Sequence, residues 1–243
     1  MLVLRALGIG DLLVAVPALR GLRAVTDRLV LAAPSWLEQL VELTGCVDEL
    51  LPTPGLGSLR YRSPDVAVNL HGAGPESIAD LLATSPGRVL THRHPAFPDV
   101  DGPEWVEEQH EVTRWRRLLE WYGIPASPWD LSLSRPRVAS VAPGAVVVHP
   151  GASEAARRWG GFAGVARALA GDHRVVVTGS AAERELATAV ASGAGLPDSA
   201  VLAGKLDLAE LAALVADASL VVCNDTGVGH LATAYGTPSV VLF

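Results

Sequence analysis

Three times in this sequence a short apolar run stops at a glycine-containing turn and passes into a helix-forming stretch. Near the end, Leu220-Val221-Val222-Cys223 runs into Asn224-Asp225-Thr226-Gly227-Val228-Gly229-His230. Near the start, Leu2-Val3-Leu4-Arg5 leads into Ala6-Leu7-Gly8-Ile9-Gly10-Asp11. In the middle, Val146-Val147-Val148 leads into His149-Pro150-Gly151-Ala152-Ser153. A strand, a tight loop and a helix N-terminus leave backbone N–H groups without helical acceptors, a geometry that suits an anion. Three such turns predict a two-part α/β protein that binds a phosphorylated ligand.

The remaining sequence continues the alternation. Strands are expected at 2–5, 28–32, 65–70, 87–91, 145–149, 174–178, 200–203, 219–223 and 239–243. Helices are expected at 11–24, 34–43, 75–84, 104–122, 160–170, 181–193, 207–217 and 227–235. Short strands rich in Val and Leu, separated by helices, read as βαβ units of parallel sheets. Residues 134–144 hold Pro136 and Pro143 and show no periodicity, which makes them the best linker. The expected organisation is two Rossmann-like domains, 1–135 and 136–243, with the βα pattern restarting near 143. Their parallel sheets are expected to face across a cleft, a natural ligand site. Val240-Val241-Leu242-Phe243 reads as a buried strand with nothing after it. The expectation is therefore a sequence truncated relative to a longer natural protein, with its second domain incomplete.

Composition narrows the partners. Hydrophobic residues make up 49% and aromatic ones 5%, so a full core is expected from Ala, Val and Leu. The longest uncharged apolar run, 12–19, is too short to span a bilayer. Met1 leads straight into a strand and not into a signal segment. Cys46 and Cys223 lie far apart and are expected as free thiols in a reducing cytoplasm. A net charge of −7 argues against non-specific nucleic-acid binding, so a phosphate site must be a local patch.

Each candidate residue has a structural and a functional reading. Gly8 and Gly10 start a dinucleotide fingerprint whose third glycine is replaced by Leu13. Asp11 sits where a first-turn carboxylate stabilises a helix, or where a base would face the cleft. Gly151 permits a sharp turn and Ser153 can donate a hydroxyl. Arg157 and Arg158 offer charge-assisted contacts to phosphate, or form a solvated basic loop with Trp159 on the sheet. Asp225 repels phosphate, so it is expected to cap the helix or hold a sugar hydroxyl. The N–H groups near Thr226 and Gly227 would take the phosphate, with His230 as a further donor or a packed helix residue. Gly179, in Thr178-Gly179-Ser180, and Glu183 form another strand-tip turn that could hold a polar ligand group. Lys205 either reaches the same cleft or is exposed. His71 follows a strand tip, and could line the cleft or belong to a simple turn. His92 and His94, with Asp99 and Asp101, match no metal-site spacing and are expected instead in an acceptor-contacting loop. No P-loop, no G-x-S-x-G elbow and no H-E-x-x-H occurs.

The ordered set of these segments resembles glycosyltransferase family 9, the ADP-heptose:lipopolysaccharide heptosyltransferases. The matching pieces are Leu2 to Arg5 with Gly10-Asp11-Leu12-Leu13 and Pro17-Ala18-Leu19; His110-Glu111-Val112 with Arg114 and Gly123-Ile124; His149 to Ser153 with Arg157-Arg158-Trp159; Thr178-Gly179-Ser180 with Glu183; Gly204-Lys205; and Asn224 to Gly227 with His230-Leu231-Ala232 and Thr237-Pro238. The resemblance implies a GT-B architecture, with an N-terminal acceptor domain and a C-terminal nucleotide-sugar domain. It implies inverting, metal-independent transfer of a heptose or similar sugar, with an ADP-linked donor and a cell-envelope glycan acceptor. It maps the general base onto Asp11 and the pyrophosphate contacts onto Arg157, Arg158 and the Asp225-Thr226-Gly227 turn. The chain departs from the family pattern by stopping before a further Gly and a C-terminal helix, and its N-terminal half is short.

The expected partners are a nucleotide-sugar donor and a glycan or glycolipid acceptor, with no nucleic acid, no cofactor and no metal. A cytoplasmic monomer is expected, and peripheral contact with the inner membrane face is admissible. Two other classes stay open: a nucleotide-sugar epimerase or hydrolase of the same fold, and a non-catalytic nucleotide-sugar binder. An NAD-dependent oxidoreductase is disfavoured by the broken glycine fingerprint.

Overall fold

The computed structural model describes residues 1–152 and 158–243. The chain divides into two units, Met1–Leu131 and Ser132–Phe243, each built on an all-parallel sheet.

The first sheet holds β1 (Leu2–Leu4), β2 (Val30–Ala33), β3 (Glu49–Pro52), β4 (Val66–Asn69) and β5 (Arg88–Leu90), in the order β3-β2-β1-β4-β5. Central β1 sets Leu2 beside Val30 on one side and Ala67 on the other. A strand covered on both faces has no polar alternation, which is why Leu-Val-Leu reads as an unbroken apolar run. Helix α1 (Ile9–Arg23) is also buried over most of its circumference, from Leu12 through Ala15 to Leu19 and Leu22. It packs on α4 (Glu111–Trp121). Gly21 lets the loop beyond α4 come close: a Cβ there would stand 2.6 Å from the Pro125 carbonyl oxygen. Helices α2 (Glu38–Thr44) and α3 (Glu76–Ala83) complete this unit.

The second sheet holds β6 (Val146–His149), β7 (Val175–Val177), β8 (Leu220–Asn224) and β9 (Ser239–Leu242), in the order β7-β6-β8-β9. Val146, Val148, Val175, Val177 and Val222 form a core with Phe162 and Ala166 of α5 (Phe162–Leu169) and Ala187 and Ala191 of α6 (Arg184–Ala194). Helices α7 (Leu208–Ala216) and α8 (Gly227–Tyr235) pack against each other. Asp207 caps α7 by accepting from the Glu210 N–H at 2.8 Å.

Three elements differ from the sequence reading. The strand expected at 200–203 reduces to a single bridge between Val201 and Val177. A 3-10 turn at Asp198–Ala200 delivers Val201, and Gly204 in the left-handed region (φ 65°) ends the segment at once. The helix expected over 104–122 begins at Glu111. Its first part is irregular because Arg114 reaches back to the Val106 and Glu107 carbonyls, and His110 caps the true start by accepting from the Val112 N–H. Strand β3 was not expected: it is short, half-buried and ends in Pro52, a residue tolerated because the strand lies at the sheet edge. Both cysteines are free and buried. Among the described residues no helix is long and apolar enough to cross a membrane.

Candidate functional site

In each unit the strand order reverses once. The first unit reverses between β1 and β4, the second between β6 and β8. The crevice beyond the carboxyl ends of strands at such a reversal is where open α/β sheets hold ligands. Asp11 and His71 follow β1 and β4. The segment from His149 to Trp159 and the turn from Asp225 to Gly227 follow β6 and β8.

At the first reversal, Asp11 lies in the opening turn of α1 with its side chain 46% exposed. One carboxylate oxygen accepts from the Gly8 N–H at 3.1 Å, and the other faces Arg5 Nη2 at 3.4 Å. Arg5, 1% exposed, also donates through Nε to the Asp11 carbonyl at 2.9 Å, through Nη1 to the Leu70 carbonyl and through Nη2 to Glu111 at 3.0 Å. Its guanidinium lies 5.0 Å from the Trp115 ring centroid. Burial lowers its pKa, with Glu111 and Asp11 opposing; an arginine stays cationic regardless. Glu111 also accepts from Trp115 Nε1 at 2.9 Å and from Arg114. The sequence reading quoted Arg5 and Glu111 only as pieces of a resemblance. An arginine closing an apolar strand is the signal that could have raised them.

His71 accepts the Ala6 N–H on Nδ1 at 3.2 Å, and burial together with the Arg5 charge holds its pKa down. Its turn is braced by fully buried Asn69, whose Oδ1 accepts the His71 N–H at 3.0 Å and whose Nδ2 lies 3.0 Å from Thr91 Oγ1. Gly10 sits in the first turn of α1.

His92 requires a correction. It was expected to contact an acceptor, but it has no exposed surface and packs edge-on between Trp105 and Trp115, at 5.0 and 6.0 Å. Neither ring nitrogen has a hydrogen-bond partner, and burial pushes its pKa down to about 4. His94 is half-buried and lines an open cavity of about 630 Å³ with Phe97, Trp105, Arg93 and Glu104.

At the second reversal, fully buried Asn224 ties the loops together. Its Nδ2 donates to the Pro150 and Gly151 carbonyls at 2.9 and 3.2 Å, and its Oδ1 accepts the Trp159 N–H at 3.2 Å. Sequence reasoning had it only as part of a cap. Ser153 and Arg157 lie outside the described residues. Arg158 is exposed and donates from Nε and Nη2 to the Ala152 carbonyl at 3.3 and 3.1 Å. The Trp159 ring packs edge-on against Phe162.

Thr226 is the N-cap residue of α8, and its side chain makes no capping hydrogen bond. Asp225 comes just before that residue, and its N–H donates to the Leu242 carbonyl at 3.0 Å. The N–H groups of Gly227 and Val228 come too early for a helical acceptor. The Thr226 hydroxyl is buried without a partner in bonding geometry, although the Cys223 thiol lies beside it. His230 is half-buried one turn into α8.

Gly151 is also present for a different reason from the one expected. It is not a positive-φ turn residue. The Glu183 carboxylate occupies its open side, and a Cβ would stand 2.1 Å from Glu183 Oε1. Gly179 is close to the same side chain, 3.2 Å from Glu183 Cβ by the same measure. Glu183 is held by the Ser180 N–H at 2.7 Å and the Ser180 hydroxyl at 2.9 Å. Burial works against its charge, but these two bonds and the Arg158 charge outweigh it and keep its pKa low. His149 is kept neutral by burial, against the pull of Glu183, with Nδ1 3.0 Å from Thr178 Oγ1. Lys205 is exposed beyond Gly204. Among the described residues no three His, Cys, Asp or Glu side chains gather as a metal site would need.

The sequence profile of glycosyltransferase family 9 (heptosyltransferase) matches residues 99–243. Lipopolysaccharide heptosyltransferase 1 of Pseudomonas aeruginosa is 38% identical over 145 residues, 56% of this chain and 40% of that protein. Lipopolysaccharide heptosyltransferase 3 of Escherichia coli is 32% identical over 124 residues, 49% of this chain and 36% of that protein. The matches thus span well under half the length of both curated relatives. Among solved structures, E. coli heptosyltransferase WaaC with ADP-2-deoxy-2-fluoro heptose aligns with a TM-score of 0.76 at 18% identity, covering 99% of this chain and 87% of that one. The two-sheet α/β architecture is therefore the GT-B fold expected from the sequence.

Proposed function

The chain belongs to glycosyltransferase family 9, and from that premise we propose that it moves a heptose or similar sugar from an ADP-linked donor to a cell-envelope glycan. The observation that carries the reading is the second strand-order reversal. There the N–H groups that open α8, the buried Thr226 hydroxyl and the Arg158 guanidinium belong to the two loops that flank it.

In this reading the unit Ser132–Phe243 binds the donor. Arg157, Arg158 and the Thr226-Gly227 turn, with Ser153 and His230, take the diphosphate. Glu183, set beside Gly151 and Gly179, accepts hydrogen bonds from donor hydroxyls, and Lys205 adds a peripheral charge. Asp225 holds a sugar hydroxyl. The unit Met1–Leu131 binds the acceptor, with Gly10, His71 and His94 on that side. Asp11 accepts the proton of the acceptor hydroxyl, and that oxygen bonds to the anomeric carbon as the bond to the diphosphate breaks. Attack from the face opposite the diphosphate inverts the centre. Charge developing on the leaving diphosphate is met by the arginines and the helix N-terminus, so the chemistry asks for no metal. The reaction takes place in the cytoplasm, by a monomer, with a glycolipid acceptor bringing the protein to the inner membrane face.

The test is calorimetric titration with ADP, UDP and GDP beside Arg158→Ala. Selective binding of ADP, weakened about tenfold in Arg158→Ala as loss of a charge-assisted phosphate contact requires, is the expected result. Equal affinity in both proteins removes Arg158 from the site. Product analysis with and without acceptor then separates transfer from epimerisation or hydrolysis.

A further inference from the structure

The first reversal contains a buried ion network that no part of the donor reading uses. Arg5 has five N–H groups, and their assignment is constrained. The Nε proton goes to the Asp11 carbonyl and one Nη1 proton to the Leu70 carbonyl. The two Nη2 protons are divided between two carboxylates, Glu111 at 3.0 Å and Asp11 at 3.4 Å. The two acids are not equivalent. Glu111 is anchored by two further donors, Trp115 Nε1 and Arg114, and the Arg114 side chain is itself buried. Asp11 has only the Gly8 N–H besides, and stands half in solvent. The Trp115 ring under the guanidinium holds the plane of the fork.

A buried cation facing one carboxylate alone would be drawn into a short pair with it, and both lone-pair faces of that acid would be occupied. Glu111 prevents this by holding the fork on its own side. The Asp11 carboxylate is then oriented by the longer contact without being consumed by it. Buried cations are costly unless paired, so a network of this kind placed directly behind an exposed acid has an evident alternative, a purely structural role. Sharing one nitrogen between the two acids is the feature a structural role does not require.

We propose that Arg5 and Glu111 are positioning residues for Asp11: Glu111 restrains the Arg5 guanidinium so that the Asp11 carboxylate is aimed yet left free to accept a proton. This rests on the reading of Asp11 as the base. Neither residue touches the substrate, so donor affinity is independent of both.

The experiment measures kcat and KM separately for Glu111→Gln and Arg5→Lys, with Asp11→Asn beside them. The donor is ADP-heptose, the acceptor a heptose-free lipopolysaccharide, and ADP release is read. Misplacement of a base by a fraction of an ångström to 1 Å lowers kcat by about tenfold or more. That fall is expected in Glu111→Gln and in Arg5→Lys, with KM for the donor within about twofold of the parent. Glu111→Gln is nearly isosteric on a side chain one-third exposed, so it decides the matter if Arg5→Lys does not fold. Parental kcat in Glu111→Gln, with Asp11→Asn inactive, overturns the positioning proposal and leaves the base in place. A kcat loss that disappears when the assay is cooled below the variant's melting range also overturns it, since the role is then structural. Full turnover by Asp11→Asn, or no transfer by the parent chain, removes the base reading and the proposal with it.

Discussion

At the reversal between β1 and β4 an exposed carboxylate stands in front of a buried arginine. At the reversal between β6 and β8 the flanking loops carry the N-terminus of α8 and the exposed Arg158, with Glu183 secured beside Gly151. The supports are alike. Each unit ends a strand beside its reversal with a fully buried asparagine, Asn69 in one and Asn224 in the other, whose amide knits the neighbouring loops. The same topology and the same brace therefore carry opposite chemistry. What differs is the residue at the strand tip: Arg5 turns inward onto two carbonyls and two carboxylates, whereas after β8 the chain opens a helix whose N-cap side chain makes no capping bond. In the proposed reading, one unit presents an acid and the other receives an anion.

The largest expected effect breaks the comparison in one step. Asp11→Asn should lower turnover by about 10²–10⁴-fold, the range for loss of a general base. ADP affinity should be unaltered in the same protein. Equal loss of both would show that Asp11 acts through the fold and not as a base.

An acid titration sharpens the contrast from the side of stability. His92 is held neutral in the folded first unit to about pH 4, while in the unfolded chain it protonates near 6.5. The unfolded state therefore binds the extra proton first, and stability drains away as pH falls from about 6.5 towards 4. By pH 4.5 the loss should be roughly 2–3 kcal/mol. His92→Phe should lack this component. Denaturant unfolding of both proteins at pH 7 and pH 4.5 measures it, and parallel losses in the two would refute the assignment.

The two asparagines give the third comparison. Asn224→Ala and Asn69→Ala should each cost about 2–3 kcal/mol, because each leaves several buried backbone groups unpaired. Only Asn224→Ala should also weaken ADP binding, since its amide holds the Pro150-Gly151 backbone. Loss of ADP binding in Asn69→Ala would mean that the donor site is not confined to the second unit.

Much of the loop geometry at the second reversal was legible in the sequence. The strand tips at Val148 and Cys223 are marked by a change from apolar residues to Gly, Pro and Asn over three or four positions, and such punctuation is local. The Asp11 turn was visible for the same reason. Strand β3 escaped because Glu-Leu-Leu-Pro has neither length nor alternation, and its pairing with β2 is what makes it a strand. His92 was misplaced because a histidine in a Pro-rich segment reads as exposed; Trp105 and Trp115, which bury it, come from a segment and a helix further along the chain.

The sequence alone determined the α/β class, the parallel sheets and the positions of the strand-tip turns, because each follows from residues adjacent in the chain. Tertiary structure decided which side chains meet there. Arg5 finds Glu111 across 106 residues, and Asn224 finds Pro150 across 74. Gly151 is required by a carboxylate that arrives from Glu183. Strand order and helix packing set these meetings, and no local pattern of apolar and polar residues encodes them.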